Sequence, residues 1–400
     1  MGLLKAEFVR GKEIFSFSYA EEWLRSGFSQ LLDPELLFYS GSQYASDEKS
    51  NFGVFLDSSP DRWGRVLMKR GEAANARKEG RAERTLRESD YLLGVFDGHR
   101  MGAIRFKEDP QGPFLNNNES PASSQWTSIR ELEQISLRLE DDDVTEDPEY
   151  LKWLTMLINP GSSLGGARPK ANVLDDKKNL WIAKFPSKTD IKDIGGWEMV
   201  ANELAANSGL NVAHSMVHRF SSRHSTFLTR RFDRKENGER IHFASAMTML
   251  GYKDGDNYQE GVSYLEMVDF LTNHGANIDN DLIELWSRIV FNIFISNTDD
   301  HLRNHGFILT EKGWILSPAY DINPNEDGTG LSLNISLSDN ALTLDLPLEI
   351  VEYFRFDKAV GLKIIERIRK SVSNWRRIAD KYKLPKSEQD LMTKVFNRFL

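Results

Sequence analysis

The apolar residues of this chain change their spacing along its length, and the change divides it. Up to about residue 107 they come in short clusters, of which Leu37-Phe38-Tyr39 and Gly102-Ala103-Ile104-Arg105-Phe106 predict strands in a mixed α/β region. Residues 61–88 are rich in Arg, Lys, Glu and Ala, which predicts helix. The charges there are mixed, as on a solvated face, with docking to an acidic partner as the alternative. Residues 108–125 hold Pro110, Gly112, Pro113, Asn116-Asn117-Asn118 and Pro121, a linker composition. Residues 129–139 predict a short helix, and the acidic run 140–143 follows it.

From Gly161 the pattern turns to strands. A Gly/Ser segment leads into Ala171-Asn172-Val173-Leu174, and polar residues 175–179 separate this from Leu180-Trp181-Ile182-Ala183-Lys184-Phe185. The pair predicts a hairpin with Lys184 at the far end of its second strand. Residues 197–209 predict a helix with Met199, Val200, Leu204 and Ala205 on one side and Gly209 as its stop. Further strands are predicted at 216–220 and 225–229. The last third is mostly helical. Leu282, Leu285, Trp286, Ile289, Val290, Ile293 and Phe294 recur at helical spacing, and that helix runs directly into an Asp-rich loop. Phe307-Ile308-Leu309 and Trp314-Ile315-Leu316 flank a Lys312-Gly313 turn as a hairpin, and helices around 362–382 and 389–399 close the chain. The class is α+β: a β-rich half with one helix, then a helical half that carries the acidic motifs.

Composition removes several chemistries. The chain has 400 residues and no cysteine, which excludes disulfides, Cys-ligated zinc, Fe–S clusters and thiol catalysis, and is compatible with a reducing cytoplasm. The first residues lack a basic stretch followed by an apolar signal core, and Ala6 stands where a myristoylation pattern needs Ser or Thr. There is no apolar run long enough for a membrane span, so none is expected. The net charge of −9 argues against a whole-surface nucleic-acid binder and leaves local basic patches, such as residues 62–87. His214, His218, His224, His242, His274 and His305 form no metal-ligand spacing. Ser162 and Ser163 have no visible partners for a hydrolase triad.

The chemistry sits in Asn297-Thr298-Asp299-Asp300-His301-Leu302-Arg303-Asn304. Phosphoryl transfer from ATP needs a carboxylate to orient the nucleophile and accept its proton, and oxygen ligands for Mg²⁺. Asp299 and Asn304 have the Asp-x-x-x-x-Asn spacing, and Asp321 follows the predicted hairpin in Pro318-Ala319-Tyr320-Asp321. Asp299 is then the base, with Asn304 and Asp321 as metal ligands. Asp300 competes with Asp299 for the role, and spacing favours Asp299. His301 is expected to brace the loop by hydrogen bonds. Ile322-Asn323 stand where Phe-Gly is usual. Taken alone the loop is also compatible with a polar turn and an Asp cap; Asp321 beyond a hairpin is what selects phosphotransfer.

Gly161-Ser162-Ser163-Leu164-Gly165-Gly166-Ala167-Arg168-Pro169-Lys170 offers small residues that let backbone N–H groups approach phosphate, with Arg168 and Lys170 adding charge. A flexible loop is the plain alternative. Its place before Lys184 favours a nucleotide loop, with Lys184 on the α- and β-phosphates and Glu198 or Glu203 as its acidic partner.

These pieces together resemble the HipA-type serine/threonine kinases, the toxin half of bacterial toxin–antitoxin modules, over nearly the whole chain. Residues 163–170 resemble the family's Ser-x-x-Gly-Ala-x-x-Lys loop and Ala183-Lys184-Phe185-Pro186 its Lys strand. Glu198, with residues 205–212, resembles its helix ending in Gly-Leu-x-Val; Arg231-Phe232-Asp233-Arg234 matches its Arg-Phe-Asp-Arg segment. Residues 297–304 and 318–321 match the two catalytic motifs, and Ser59-Pro60-Asp61-Arg62-Trp63-Gly64-Arg65 resembles the Leu-Pro-Asp-x-Trp-Gly-Arg segment of the first domain.

The resemblance implies an α/β subdomain over 1–108, a linker and β-rich kinase N-lobe over 109–240, and a helical C-lobe over 241–400. It implies ATP and Mg²⁺ as cofactors, held by Ser163, Leu164, Gly165, Gly166, Ala167, Arg168, Lys170, Arg230, Arg231, Phe232, His301, Asn304, Tyr320 and Asp321. The segment Arg230-Arg231-Phe232 would sit near the adenine. Glu198 becomes the partner of Lys184, and Ser163 an autophosphorylation site whose modification ejects the loop and inactivates the enzyme. Protein substrates of such families include aminoacyl-tRNA synthetases. The partner is a small helix-turn-helix antitoxin, with DNA reached only through it, in the cytoplasm and away from membranes. Arg230 departs from the family's acidic option there, Arg168-Pro169 stiffens the loop, and Asp300 adds a charge where a small residue is usual. Two alternatives remain: an atypical small-molecule or lipid kinase, favoured by Asp-x-His-x-x-Asn, and a pseudokinase acting within a repressor complex.

Overall fold

An antiparallel hairpin opens the chain: β1 (Gly2–Val9) runs against β2 (Lys12–Tyr19), and Arg10 and Gly11 turn between them, both at positive φ. The computed structural model describes residues 1–117, 124–125, 128–141, 143–161 and 168–400. Contacts group the chain into two units, Met1–Lys188 with Asp233–Ala244, and Thr189–Phe232 with Ser245–Leu400.

In the first unit, β3 (Gln43–Tyr44) extends the hairpin beside β2. Alternate residues of β2, Phe15, Phe17 and Tyr19, face inward onto Leu36, Phe52, Val54, Phe55 and Leu92. Short helices α1 (Glu21–Leu24) and α2 (Gly53–Leu56) precede α3 (Arg62–Glu79). Helix α3 starts where Asp61 accepts the Gly64 N–H at 2.7 Å and stops at Gly80, whose φ of 64° suits glycine. Helices α4 (Glu88–Gly94), α5 (Ile129–Arg138) and α6 (Tyr150–Gly161) follow. Strand β4 (Ser124–Gln125) lies parallel to β5 (Lys170–Leu174), which pairs antiparallel with β6 (Leu180–Lys184). In that register Lys170 stands directly opposite Lys184.

Two expected strands are absent from this unit. Residues 37–39 turn instead: the backbone N–H and carbonyl of Leu37 are both taken by the Gln43 side chain, and Phe38 stacks on Tyr19 at 5.2 Å. Residues 102–106 are irregular because their groups serve a charged network. Gly102 donates its N–H to Asp233 at 2.8 Å, Arg234 donates to the carbonyl of Arg100 at 2.7 Å, and Asp97 holds both Arg105 and Arg240. The hairpin of β1 and β2 and the helix α6 were not anticipated. The basic stretch 62–87 is partly self-neutralised, Arg65 on Glu88, Arg81 on Glu72 and Arg84 on Asp90, as a mixed solvated face requires.

The second unit begins with α7 (Ile194–Asn207), followed by the hairpin of β7 (Ser215–His218) and β8 (Thr226–Arg230). Buried Asp193 joins them. It caps α7 through the Gly196 N–H at 3.0 Å and accepts the N–H of Ser225 at 2.9 Å and its hydroxyl at 2.7 Å. The short β9 (Phe243–Ser245) leads to α8 (Ala246–Met249), α9 (Tyr264–His274) and α10 (Ile278–Ile295). Helix α10 is buried along most of Asp281–Ile295, where its apolar residues concentrate. It leads to the acidic loop and then the expected hairpin of β10 (Gly306–Thr310) and β11 (Gly313–Leu316). Helices α11 (Asp345–Glu349), α12 (Lys358–Val372), α13 (Trp375–Lys381) and α14 (Lys386–Phe396) complete it. Trp375 stacks on Phe396 at 5.0 Å, and buried Glu388 accepts the Trp197 indole N–H at 2.9 Å.

A Cβ on Gly195 would lie 2.4 Å from the Ser225 carbonyl oxygen, a backbone atom that cannot swing aside. Gly195→Ala is expected to destabilise by about 1–3 kcal/mol through this overpacking. A thermal midpoint equal to wild type would show that α7 does not pack this closely on β8.

Candidate active site

The acidic loop starts where α10 is forced to end. Ser296 takes a left-handed φ of 49°, and the Asn297 N–H returns to the Asn292 carbonyl at 2.9 Å. The Asn297 amide also donates to the Asn292 side chain at 3.1 Å. Thr298 is held from the far side, its hydroxyl by the Asn325 amide at 2.7 Å and its carbonyl by the Ser332 hydroxyl at 2.8 Å. The Asn304 side chain donates to the Asp299 carbonyl at 2.9 Å, so the two ends of the Asp-x-x-x-x-Asn spacing close on each other. The Tyr320 hydroxyl donates to the Arg303 carbonyl at 2.6 Å.

The adjacent aspartates face opposite ways. Asp299 is exposed; Asp300 is 3% exposed. One oxygen of Asp300 accepts from the Tyr264 hydroxyl at 2.5 Å and the Asn292 amide at 2.6 Å, and lies 3.0 Å from His305 Nε2. Burial pushes the Asp300 pKa up, but the charge and hydrogen bond of His305, with the Tyr264 bond, outweigh it and the net direction is down. Burial and the neighbouring Asp300 charge push the Tyr264 hydroxyl well above its ordinary value. A general base must reach the proton it takes. Asp300 is committed to the interior, which leaves the outward carboxylate to Asp299.

Asp321 lies beyond the hairpin at φ 56°, a left-handed conformation that is uncommon for a residue with a side chain. The Asn323 amide donates to Asp321 Oδ1 at 3.0 Å, and its backbone N–H reaches Asn297 Oδ1 at 3.4 Å. With Nδ2 turned to a carboxylate, Asn323 Oδ1 faces away, and this buried oxygen has no hydrogen-bond partner among the described residues. The Phe232 ring lies 5.5 Å from that of Tyr320. The second unit thus gathers Phe232, Asp299, His301, Asn304, Tyr320 and Asp321. Arg230 ends β8 with its N–H on the His214 carbonyl at 2.8 Å, and Arg231 is buried. Glu198 lies buried on α7, whereas Glu203 is taken by Lys381 at 2.7 Å and by Tyr382.

The first unit carries the expected cations. Lys184 is half-buried at the end of β6 and Arg168 is half-buried before β5. Lys170 is buried, with its ammonium 3.2 Å from Asp61. Ser163, Leu164, Gly165, Gly166 and Ala167 lie outside the described residues. His301 Nδ1 is buried with no hydrogen-bond partner among the described residues, and the backbone of His301 bonds to Asp299 and Asn304 within the loop. Tyr264, Asn292, His305 and Asn323 were missed. Asn292 lies on the helix that delivers the loop, and His305 and Asn323 each lie next to a motif, whereas Tyr264 carries no local signal.

Asp321 and Asn304 carry the hard oxygen donors that Mg²⁺ takes. Among the described residues no three His, Asp or Glu side chains cluster as a metal cage by themselves.

Residues 162–389 match the family described as the HipA-like C-terminal domain. The chain is 26% identical over 266 residues to the serine/threonine-protein kinase toxin HipA of Shewanella oneidensis, covering 58% of this chain and 59% of that protein. It is 27% identical over 176 residues to Toxin YjjJ of Escherichia coli, covering 41% of this chain and 38% of that protein. These matches thus span only about half of the relatives' own length. In fold it is similar to a chain of the Shewanella oneidensis HipA, HipB and operator DNA complex, with a TM-score of 0.64 and 18% identity, covering 99% of this chain and 94% of that one. Among the described residues no helix is long and apolar enough to cross a membrane.

Removing the Asp300 acceptor strands three buried groups, so Asp300→Ala should lower stability by about 3 kcal/mol. Asp299→Ala, at an exposed site, should stay within about 0.5 kcal/mol. The folded-state pKa of Asp300 is depressed, so its contribution is complete above the ordinary carboxylate range near pH ~4 and drains as pH falls through the folded value. Urea unfolding of both variants across pH 3–7 checks this; Asp299→Ala proving the more damaging would overturn the division.

Proposed function

This chain belongs to the HipA-like C-terminal domain family, and from that premise we propose that it is an ATP- and Mg²⁺-dependent serine/threonine protein kinase of the HipA toxin type. The observation that carries the reading is the outward Asp299 in a loop closed by Asn304 and pinned from inside by Asp300. In the reaction, a substrate hydroxyl oxygen bonds to the γ-phosphorus of ATP while the bond to the β–γ bridging oxygen breaks. ADP leaves, and Asp299 orients the hydroxyl and receives its proton. Asn304 and Asp321 would hold Mg²⁺, which neutralises charge on the phosphates when bound. Lys184 and Arg168 are assigned to the phosphates, with Glu198 as the acidic member of the set. Arg230, Arg231, Phe232, His301 and Tyr320 are assigned to the nucleotide.

The same reading assigns residues 1–108 to an N-terminal subdomain, 109–240 to a linker and N-lobe, and 241–400 to a C-lobe in a two-lobed kinase arrangement. It takes a translation-related protein such as an aminoacyl-tRNA synthetase as substrate, and Ser163 as a self-inactivating phosphorylation site. A small helix-turn-helix antitoxin is the proposed partner, through which alone DNA is reached, as the HipA, HipB and operator DNA complex suggests. The setting is cytoplasmic.

Asp299→Ala should lower γ-phosphate transfer from labelled ATP to lysate proteins by at least about 10²-fold while the fold persists. Undiminished transfer would refute the assignment, and label in metabolites alone would favour a small-molecule kinase. Mass spectrometry of protein made with active enzyme should find phosphate on Ser163; a loop that is never modified sinks the autoinhibition.

A further inference from the structure

The Ser59–Arg65 motif has no role in the reading above, and Lys170 looks from sequence like a phosphate ligand. The geometry joins them. Asp61 divides its carboxylate: Oδ1 caps α3 through the Gly64 N–H at 2.7 Å, and Oδ2 lies 3.2 Å from the Lys170 ammonium. The two side chains are 3% and 2% exposed. Two residues on, the Trp63 indole N–H donates to the Lys170 carbonyl at 3.2 Å. The carbonyl of Pro169 accepts the Phe185 N–H at 2.8 Å. Lys170 is therefore held by side chain and backbone, on the first residue of β5.

The register adds a second constraint. Residues directly opposite in an antiparallel pair project from the same face of the sheet, so Lys170 and Lys184 are same-face neighbours. Like charges in that relation repel, and a buried ammonium without a counter-ion is strongly disfavoured. Asp61 supplies a counter-ion to Lys170.

We propose that Asp61, Trp63 and Lys170 form a buried anchor that fixes the start of β5 and neutralises the cation beside Lys184, so that Lys170 is a positioning residue rather than a phosphate ligand. The motif in the first part of the chain then supports the strand pair that carries Lys184. The inference rests on the kinase reading for the role of Lys184, and its physical core does not.

The test uses the full chain as wild type, Asp61→Asn, Lys170→Met and the double variant. Asparagine is as good an N-cap as aspartate, so Asp61→Asn removes the charge and leaves the cap. Two readouts are taken: amide hydrogen exchange across 170–174, and the Kd of a fluorescent ATP analogue. Each single variant should speed exchange at 170–174 by about tenfold or more, because local opening becomes easier. Asp61→Asn should also weaken the nucleotide analogue by about tenfold. The double variant, with neither charge left unpaired, should recover most of both losses. Recovery of exchange without recovery of nucleotide affinity would mean that Lys170 touches phosphate and would overturn the proposal. Unchanged exchange in both single variants would overturn the anchor itself. If wild type binds no nucleotide, the kinase reading fails, and the exchange pattern alone still decides whether the anchor exists.

Discussion

A loop that offers a carboxylate to solvent at a defined place needs something other than that carboxylate to define the place. In this protein the constraint is a single oxygen of Asp300. It meets Tyr264 at the start of α9, Asn292 near the end of α10 and His305 at the entrance to β10. The two elements that flank the loop and one helix from 36 positions upstream therefore converge on one buried charge. A buried carboxylate is tolerated only when its lone pairs are satisfied, and here the satisfaction is what fixes the backbone at residue 300. Asp299, next along the chain, must then point the other way. The extra charge that looked from sequence like a competitor for catalysis is the support for the residue it seemed to compete with.

Much of this was legible. Helical periodicity over 282–294 marked α10, because a helix buried on nearly every side must be apolar where it packs. The hairpins 170–184 and 306–316 were legible because β-rich runs flank short polar turns. The spacing of Asp299 and Asn304 was legible as chemistry, and the structure shows its mechanical side, the amide of one closing on the carbonyl of the other. Other features were not legible, for physical reasons. Residues 37–39 have strand composition, but a glutamine side chain from position 43 takes the bonds that a neighbouring strand would make. Residues 102–106 have the same composition, but their turn is tied to Asp233 and Arg234, more than a hundred positions away. Side-chain competition for backbone groups at long range leaves no periodic signal.

The charged residues show the same limit. Lys170 and Lys184 are alike in sequence, each a lysine on a strand near small residues. What separates them is a partner contributed from position 61, and nothing local to residue 170 announces it. Glu198 and Glu203 likewise differ only in what reaches them, since Lys381 and Tyr382 claim Glu203 from the far end of the chain. Residue type marks where chemistry is possible. Which partner each of two equivalent residues meets is decided by the fold and not by the local sequence.

Asp321 carries this one step further. Its left-handed backbone costs on the order of 1 kcal/mol or more for a residue with a side chain, and such a cost persists only where the surroundings enforce it. Asn323 enforces it twice, with its amide on the Asp321 carboxylate and its own N–H on Asn297, which is itself anchored to α10. The direction of the Asp321 carboxylate is thus referred back to the same helix end that sets Asp299. Two carboxylates twenty-two positions apart are aimed by one piece of structure. That shared reference is what a phosphotransfer site requires under the proposed function, where the group that handles the nucleophile and the group that holds the cation act on one phosphate and cannot drift independently.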